Sequence, residues 1–127
     1  VDLRQETHGL INGMAVSWCG ADNDANLGKS TEEVEAEEEA LSALVGTSVT
    51  AYTTENDQPV QGQELAVEKW ETERALAESE HMHYLRLACP DHCWPPAEVI
   101  DGFIAFAGAL EKDAWLHFHC EAGNGRT

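Results

Sequence analysis

Cys120 and Arg126 stand six residues apart in His119-Cys120-Glu121-Ala122-Gly123-Asn124-Gly125-Arg126-Thr127, directly after an apolar stretch. That spacing suits one chemistry. A short loop leading from a strand into a helix can turn its backbone N–H groups inward as an anion nest, and the helix adds the positive end of its dipole. Gly123 and Gly125 permit the positive φ and close backbone approach such a loop needs. Arg126 can then fold back and grip two phosphate oxygens with its planar fork. The same positive surroundings lower the pKa of Cys120, so that thiolate is present near neutral pH, and its attack on phosphorus would give a phosphocysteine. Thr127 could donate its hydroxyl to the sulfur. Cys-x5-Arg alone arises by chance; strand, His-Cys, two glycines and Arg-Thr together are specific. The competing reading is a surface turn with a buried structural cysteine.

A phosphate monoester also needs its leaving oxygen protonated. Asp91, in Cys89-Pro90-Asp91-His92-Cys93-Trp94-Pro95, follows a strand and precedes a helix, where a sheet would set it beside the nucleophile loop. As an acid it would protonate the leaving alcohol; as a carboxylate it would activate the hydrolytic water. By spacing alone, a turn or cap role for Asp91 is an equal alternative.

The elements that must position these groups read as an α/β chain. Residues 1–5 form a short strand that Gly9 and Asn12-Gly13 break, Asn-Gly being a hairpin-turn signal, with a return strand over 14–18. Residues 20–29 read as a loop. Ser30 and Glu33 form a capping box for a helix running to about Val45, with Gly46 as its stop. Six Glu between positions 32 and 39 read as a solvated face near the positive end of the dipole. Residues 48–53 alternate as a strand, 54–63 read as a loop containing Pro59 and Gly62, and 65–67 as a further strand. Thr72 caps a second helix that ends near Glu80, and 84–88 is a strand. Pro95-Pro96 opens a third helix, whose apolar stripe, from Val99 and Ile100 through Phe103 and Ile104 to Phe106 and Leu110, reads as core. Residues 115–119 are the strand feeding the loop. Helix, strand, helix, strand, loop implies a parallel sheet, and 10–70 reads as a separate small β-rich lobe.

A chain of 127 residues, 43% of them hydrophobic, suffices for one domain, or one with a small appendage. It has no apolar run of the roughly 20 residues needed to span a bilayer and does not begin with a signal peptide; both termini read as cuts, making the chain an internal fragment. The net charge of −17, with only seven Lys and Arg, excludes nucleic acid as a partner. Its long-range field would also repel a polyanion, so phosphate attraction must come from short-range donors. Cys19, Cys89, Cys93 and Cys120 read as free thiols, with a Cys89–Cys93 disulfide or a zinc site using Cys89, Cys93, His92 and other histidines as alternatives. Trp18, Trp70, Trp94 and Trp115 read as core and loop packing.

The loop HCEAGNGRT resembles that of the protein-tyrosine-phosphatase-like inositol polyphosphatases, the bacterial cysteine phytases; ordinary tyrosine phosphatases share the frame but seldom the Glu after Cys. Val1-Asp2-Leu3-Arg4-Gln5-Glu6-Thr7-His8-Gly9 is similar to the family's DLRQ strand end, Pro90-Asp91-His92-Cys93-Trp94-Pro95 to its general-acid loop, and Asp113-Ala114-Trp115-Leu116-His117-Phe118-His119 to the strand before its nucleophile. The resemblance implies a phosphatase α/β core over 1–9 and 71–127, incomplete here because the helices after the nucleophile loop are missing, with a small β-rich partial barrel inserted over 10–70. It implies stepwise removal of phosphates from myo-inositol hexakisphosphate, with Cys120 as nucleophile, Arg126 as phosphate grip and Asp91 as general acid. Arg4, His92 and the loop residues Glu121, Ala122, Gly123, Asn124 and Gly125 would bind substrate, supported by His119 and Thr127. No cofactor or metal is implied, the partner is a small inositol polyphosphate rather than nucleic acid or membrane, and the setting is bacterial, secreted or periplasmic. The family also carries a phosphate-holding lysine in the 46–70 region, where this chain has only Lys69 and several acids. The 127-residue piece alone is expected to be inactive. A protein-tyrosine or lipid phosphatase on the same scaffold is the main alternative; a non-enzymatic phosphate- or metal-binding module is the other.

Overall fold

The computed structural model describes residues 1–18, 20, 24–56 and 58–127. It is a mixed α/β structure. Strand β1 (Asp2–Arg4) pairs in parallel with β7 (Arg86–Cys89), and Asp2 makes a parallel bridge to His119 on its other side. β1 is therefore the centre of a small parallel sheet whose two neighbours run into the Asp91 loop and the Cys120 loop. Residues 115–119, expected as a full strand, contribute only that bridge: Leu3 N donates to His119 O and His119 N to Val1 O. His117 O also accepts from the Val1 ammonium at 2.7 Å, but among the described residues no second residue pair completes a ladder.

β2 (His8–Ile11) and β3 (Met14–Ser17) form the hairpin that Asn12-Gly13 predicts, and β6 (Trp70–Glu71) pairs on the far side of β2. Gly9, expected to break the first strand, lies inside β2. A Cβ at Gly9 would come 2.5 Å from the Trp70 ring and 2.7 Å from Glu71 O, so glycine lets the indole lie flat across the strand. Trp70 in turn donates to Glu38 O and meets Trp18 edge-on, whereas Trp94 and Trp115, expected to pack, are exposed on loops.

Helix α1 (Thr31–Ala40) opens on the predicted capping box: Ser30 Oγ accepts from Glu33 N and Glu33 Oε2 from Ser30 N. It ends earlier than expected, passing into a 3-10 turn over Leu41–Leu44 before Gly46, at φ +88, hands its N–H to Val67 O. The acidic run is not wholly a solvated face. Val34 and Glu38, four apart and so on one side of the helix, are buried; Glu35 pairs with Arg74 and Glu37 with Lys29.

β4 (Ser48–Glu55) and β5 (Gln58–Ala66) make a long antiparallel hairpin, with a register shift at Thr53/Thr54. Most of 54–63, expected as a loop, is thus strand: Pro59 sits at the register irregularity of a two-stranded ribbon, where a missing N–H costs no inner ladder bond. Helix α2 (Glu73–Ser79) is capped by Thr72 as predicted. Helix α3 (Ala97–Ala109) starts after Pro96, but none of its residues is buried and Ile104 is 62% exposed. It rests against Leu87 and Phe118 on one side only, while its sequence is apolar on more than one. No helix among the described residues is long and apolar enough to cross a membrane.

A buried ionic cluster holds these pieces together. Arg86, fully buried, donates from Nη1 to Asp2 Oδ2 at 2.9 Å, from Nε to Arg4 O and from Nη2 to Glu6 O; Glu38 lies 3.2 Å from Nη1. His8 lies alongside. Its Nδ1 faces Glu6 O at 2.8 Å, and its Nε2 faces Glu73 Oε2 at 2.8 Å and Asp2 Oδ2 at 3.1 Å. All three partners are acceptors, so the ring carries protons on both nitrogens. Burial opposes that charge, but the hydrogen bonds to Asp2 and Glu73 outweigh it and raise the His8 pKa to about 9. Burial likewise opposes ionisation of Asp2, and the His8 and Arg86 partners hold its carboxyl well below the ordinary range.

Two outcomes follow for stability. Gly9→Ala drives a methyl into Trp70 and the Glu71 backbone and should cost about 1–3 kcal/mol in urea unfolding; an unchanged midpoint would contradict this packing. Because the His8 pKa rises from 6.5 to about 9, its contribution is complete below about pH 6.5 and disappears as pH rises through about 9. The stability difference between wild type and His8→Gln should therefore shrink across that interval, and a constant difference would refute the doubly protonated ring.

Candidate active site

Cys120 is buried at the base of an exposed loop, 121–125. Burial alone would push its thiol up. The backbone N–H groups of Arg126, Gly123, Gly125 and Asn124 converge on the sulfur, outweigh burial and hold the pKa below the ordinary cysteine value. Gly123 turns the loop at φ +68, where only glycine sits without strain. Gly125, expected to share that role, has no positive φ, and a Cβ there would meet Asp91 Oδ1 at an ordinary 3.7 Å. One left-handed residue is enough to aim the succeeding amides at the sulfur.

Arg126 is fixed by a residue that motif reading missed. Its Nη1 lies 2.9 Å from both carboxylate oxygens of Glu6 and 3.3 Å from Cys89 O, and its Nη2 lies 3.7 Å from Asp91 Oδ2. Glu6 is fully buried, and its main-chain carbonyl is held by Arg86 and His8. The available signal was the alternation Asp2, Arg4, Glu6, His8, which starts in the 1–5 segment read as strand and runs past its end, with charged residues where a core strand would be apolar. Arg4 approaches the same carboxylate from the other side, its Nε 4.0 Å from Glu6 Oε2, while its Nη2 donates to Ser17 Oγ. Among the described residues the buried Nε atoms of Arg4 and Arg126 have no hydrogen-bond partner, so two arginines share one carboxylate and retain donor capacity.

The other predicted residues fall around this centre. Asp91 is brought to the loop through Arg126; its Oδ1 also accepts from His92 N. His92 takes φ +56 and projects an exposed ring, with Nε2 3.9 Å from Asp91 Oδ2. Glu121, Ala122 and Asn124 are exposed at the loop tip. Thr127 is exposed and, with Arg126, borders an apolar groove of about 300 Å³ formed with Leu3, Leu87, Val99 and Phe103. His119 Nε2 lies 3.2 Å from Glu73 Oε1. Lys69 lies on the exposed β6 approach, paired with Glu71.

Cys89 and Cys93 are free thiols, the first buried and the second exposed; Cys19 lies outside the described residues. Neither joins a metal-ligand group. The described residues whose ligand atoms converge are instead Asp2, His8 and Glu73, and there Arg86 Nη1, 2.9 Å from Asp2 Oδ2 and 3.5 Å from His8 Nε2, already supplies the cation.

The arrangement sets the Cys120 thiol, with its lowered pKa, the fixed Arg126 guanidinium and the Asp91 carboxyl group on one small face. Alkylation of Cys120 by iodoacetate, followed by mass spectrometry across pH, should show a midpoint below the ordinary thiol value of 9.0. A midpoint at or above that value would contradict the amide nest.

The family model for PTP-like phytases, whose description reads inositol hexakisphosphate, matches residues 1–127. The chain is similar to the tandemly repeated protein tyrosine phosphatase-like phytase of Mitsuokella multacida, at 45% identity and TM-score 0.89 over 96% of this chain and 21% of that one. A second Mitsuokella multacida structure, a PTP-like myo-inositol phosphatase in complex with myo-inositol-(1,3,4,5)-tetrakisphosphate, matches at 44% identity and TM-score 0.89, over the same shares of the two chains. A PTP-like phytase from Bdellovibrio bacteriovorus matches at 34% identity and TM-score 0.75, over 96% of this chain and 42% of that one. The effector protein hopD2 of Pseudomonas syringae pv. tomato is 28% identical over all of this chain and 29% of its own length. The chain thus spans less than half the length of these relatives, and it belongs to the PTP-like phytase family.

Proposed function

We propose that this chain carries the phosphocysteine-forming site of an enzyme that hydrolyses phosphate monoesters of myo-inositol polyphosphates. The observation carrying the reading is the sulfur of Cys120 ringed by four backbone N–H groups, beside a guanidinium that buried Glu6 holds in place. Amides aimed at a sulfur are aimed equally at the oxygens of a phosphate bound to it, and the orphaned Nε donors of Arg4 and Arg126 add local attraction within an acidic chain.

In this mechanism the Cys120 thiolate attacks phosphorus as the ester P–O bond breaks. The leaving inositol oxygen takes the proton of the Asp91 carboxyl group. Water then attacks the phosphocysteine, giving its proton to the Asp91 carboxylate; the S–P bond breaks, releasing inorganic phosphate and restoring the thiolate. Arg126 and the loop amides from Glu121 to Gly125 hold the equatorial oxygens, while Arg4 and exposed His92 face neighbouring phosphates. The family match and the relative bound to an inositol tetrakisphosphate support the substrate class. The segment 10–70 is read as an inserted lobe, and the β4–β5 hairpin, whose two strands pair only with each other among the described residues, supports a β-rich unit within it.

The full-length protein should release phosphate from phytate faster than from phosphotyrosine peptides; the reverse preference would replace this reading with a protein phosphatase. Cys120→Ser should abolish turnover while retaining phytate binding. Asp91→Asn should slow phytate hydrolysis by about 10²–10⁴-fold and activated aryl phosphates far less. Equal slowing of both would remove Asp91 from the acid role.

A further inference from the structure

One ionic cluster, buried at His8 and half-buried at Glu73 and His119, touches both ends of the Cys120 loop. Glu73, the first residue of α2, divides its carboxylate between two imidazoles: Oε2 lies 2.8 Å from His8 Nε2, and Oε1 lies 3.2 Å from His119 Nε2. His8 reaches from its other nitrogen to the carbonyl of Glu6, whose side chain fixes Arg126 at the far end of the loop. His119 immediately precedes Cys120, and its ring would otherwise lie on an open sheet edge, stacked only on the exposed His117. Main-chain bonds to Val1 and Leu3 fix its backbone, but among the described groups it is Glu73, with Asp2 farther off at 4.0 Å from Nδ1, that fixes its ring.

We propose that Glu73 is a positioning residue for the nucleophile loop, acting through His119 to fix the start of the loop relative to the Arg126 end. Resting on the reading of Cys120 as nucleophile, this adds a role that the Cys-x5-Arg motif does not contain. The carboxylate touches neither sulfur nor phosphate. Its effect is geometric: with the His119 ring released, the first residue of the nest can shift while Glu6 still holds Arg126, so that sulfur and guanidinium lose their mutual placement. Displacements of this kind cost rate rather than substrate affinity.

The test uses the full-length protein and the variants Glu73→Gln, His119→Asn and their combination, with two readouts: the rate of Cys120 alkylation by iodoacetate, and kcat and KM with phytate. Glu73→Gln should lower alkylation and kcat by about tenfold with KM within about twofold. The double variant should be no worse than the poorer single one, because the two residues act in one chain. Wild-type alkylation and kcat in Glu73→Gln would overturn the proposal, as would losses that multiply in the double variant. Should Glu73→Gln fail to fold, Glu73→Asp keeps the charge but withdraws it from His119; a slower alkylation supports the proposal and a wild-type rate overturns it. Alkylation needs no phosphorylated substrate, so a protein whose Cys120 responds to Glu73→Gln yet does not hydrolyse phytate would refute the proposed substrate and leave the role of Glu73 standing.

Discussion

The guanidinium of Arg86 is the constraint on which the rest of the structure depends. A fully buried cation costs several kcal/mol in desolvation unless its donors are met. Arg86 meets that cost with Asp2, Glu38 and the main-chain carbonyls of Arg4 and Glu6. The two carbonyl bonds matter most for the site. They fix the backbone just beyond the central strand, which sets Glu6 in place, and Glu6 sets Arg126. A charge at the start of β7 thus determines where a guanidinium stands at the end of the chain's reactive loop.

This arrangement answers an electrostatic difficulty. The chain carries a net charge of −17, yet the proposed function asks it to hold a thiolate and receive a phosphate. Long-range attraction is unavailable, so the positive potential is made locally, from backbone dipoles and from arginines whose own counter-charge is shared. Four amides lower the Cys120 pKa without adding a formal charge. Two arginines flank the single carboxylate of Glu6, which neutralises one of them and orients both.

The acidic helix shows how little a charge run says about where its members go. Glu32 through Glu39 look interchangeable in sequence, but Glu38 is buried beneath Trp70 and against Arg86 while Glu35 and Glu37 pair across the surface. Burial raises the Glu38 pKa, and the Arg86 charge opposes that rise only in part. The helix is therefore tied into the same cluster as β1, β2, α2 and β7, which connects the residues around the β2–β3 hairpin to the parallel sheet.

The sequence by itself determined the Cys120 loop and much of the local structure. The frame of Cys120 and Arg126 was legible because its spacing encodes a loop; the Ser30 capping box, the Thr72 cap, the Asn12-Gly13 hairpin and the strand before Asp91 were legible because caps, turns and alternation are short-range rules. Where sequence reading failed, long-range partners decided. Residues 54–63 became strand because Thr53, Thr54 and Glu55 pair with Gln61, Pro59 and Gln58 across a hairpin, against the loop signals of Pro59 and Gly62. The apolar stripe of α3 is only half covered because periodicity records which side of a helix is apolar, not what lies against it. Above all, the contacts among Glu6, His8, Glu73 and Arg86 join three separate stretches of the chain, and no spacing announces them. His8 meets the Glu73 carboxylate, and His8 and Arg86 both meet the main-chain carbonyl of Glu6, each within about 3 Å, and only the tertiary structure brings these groups together.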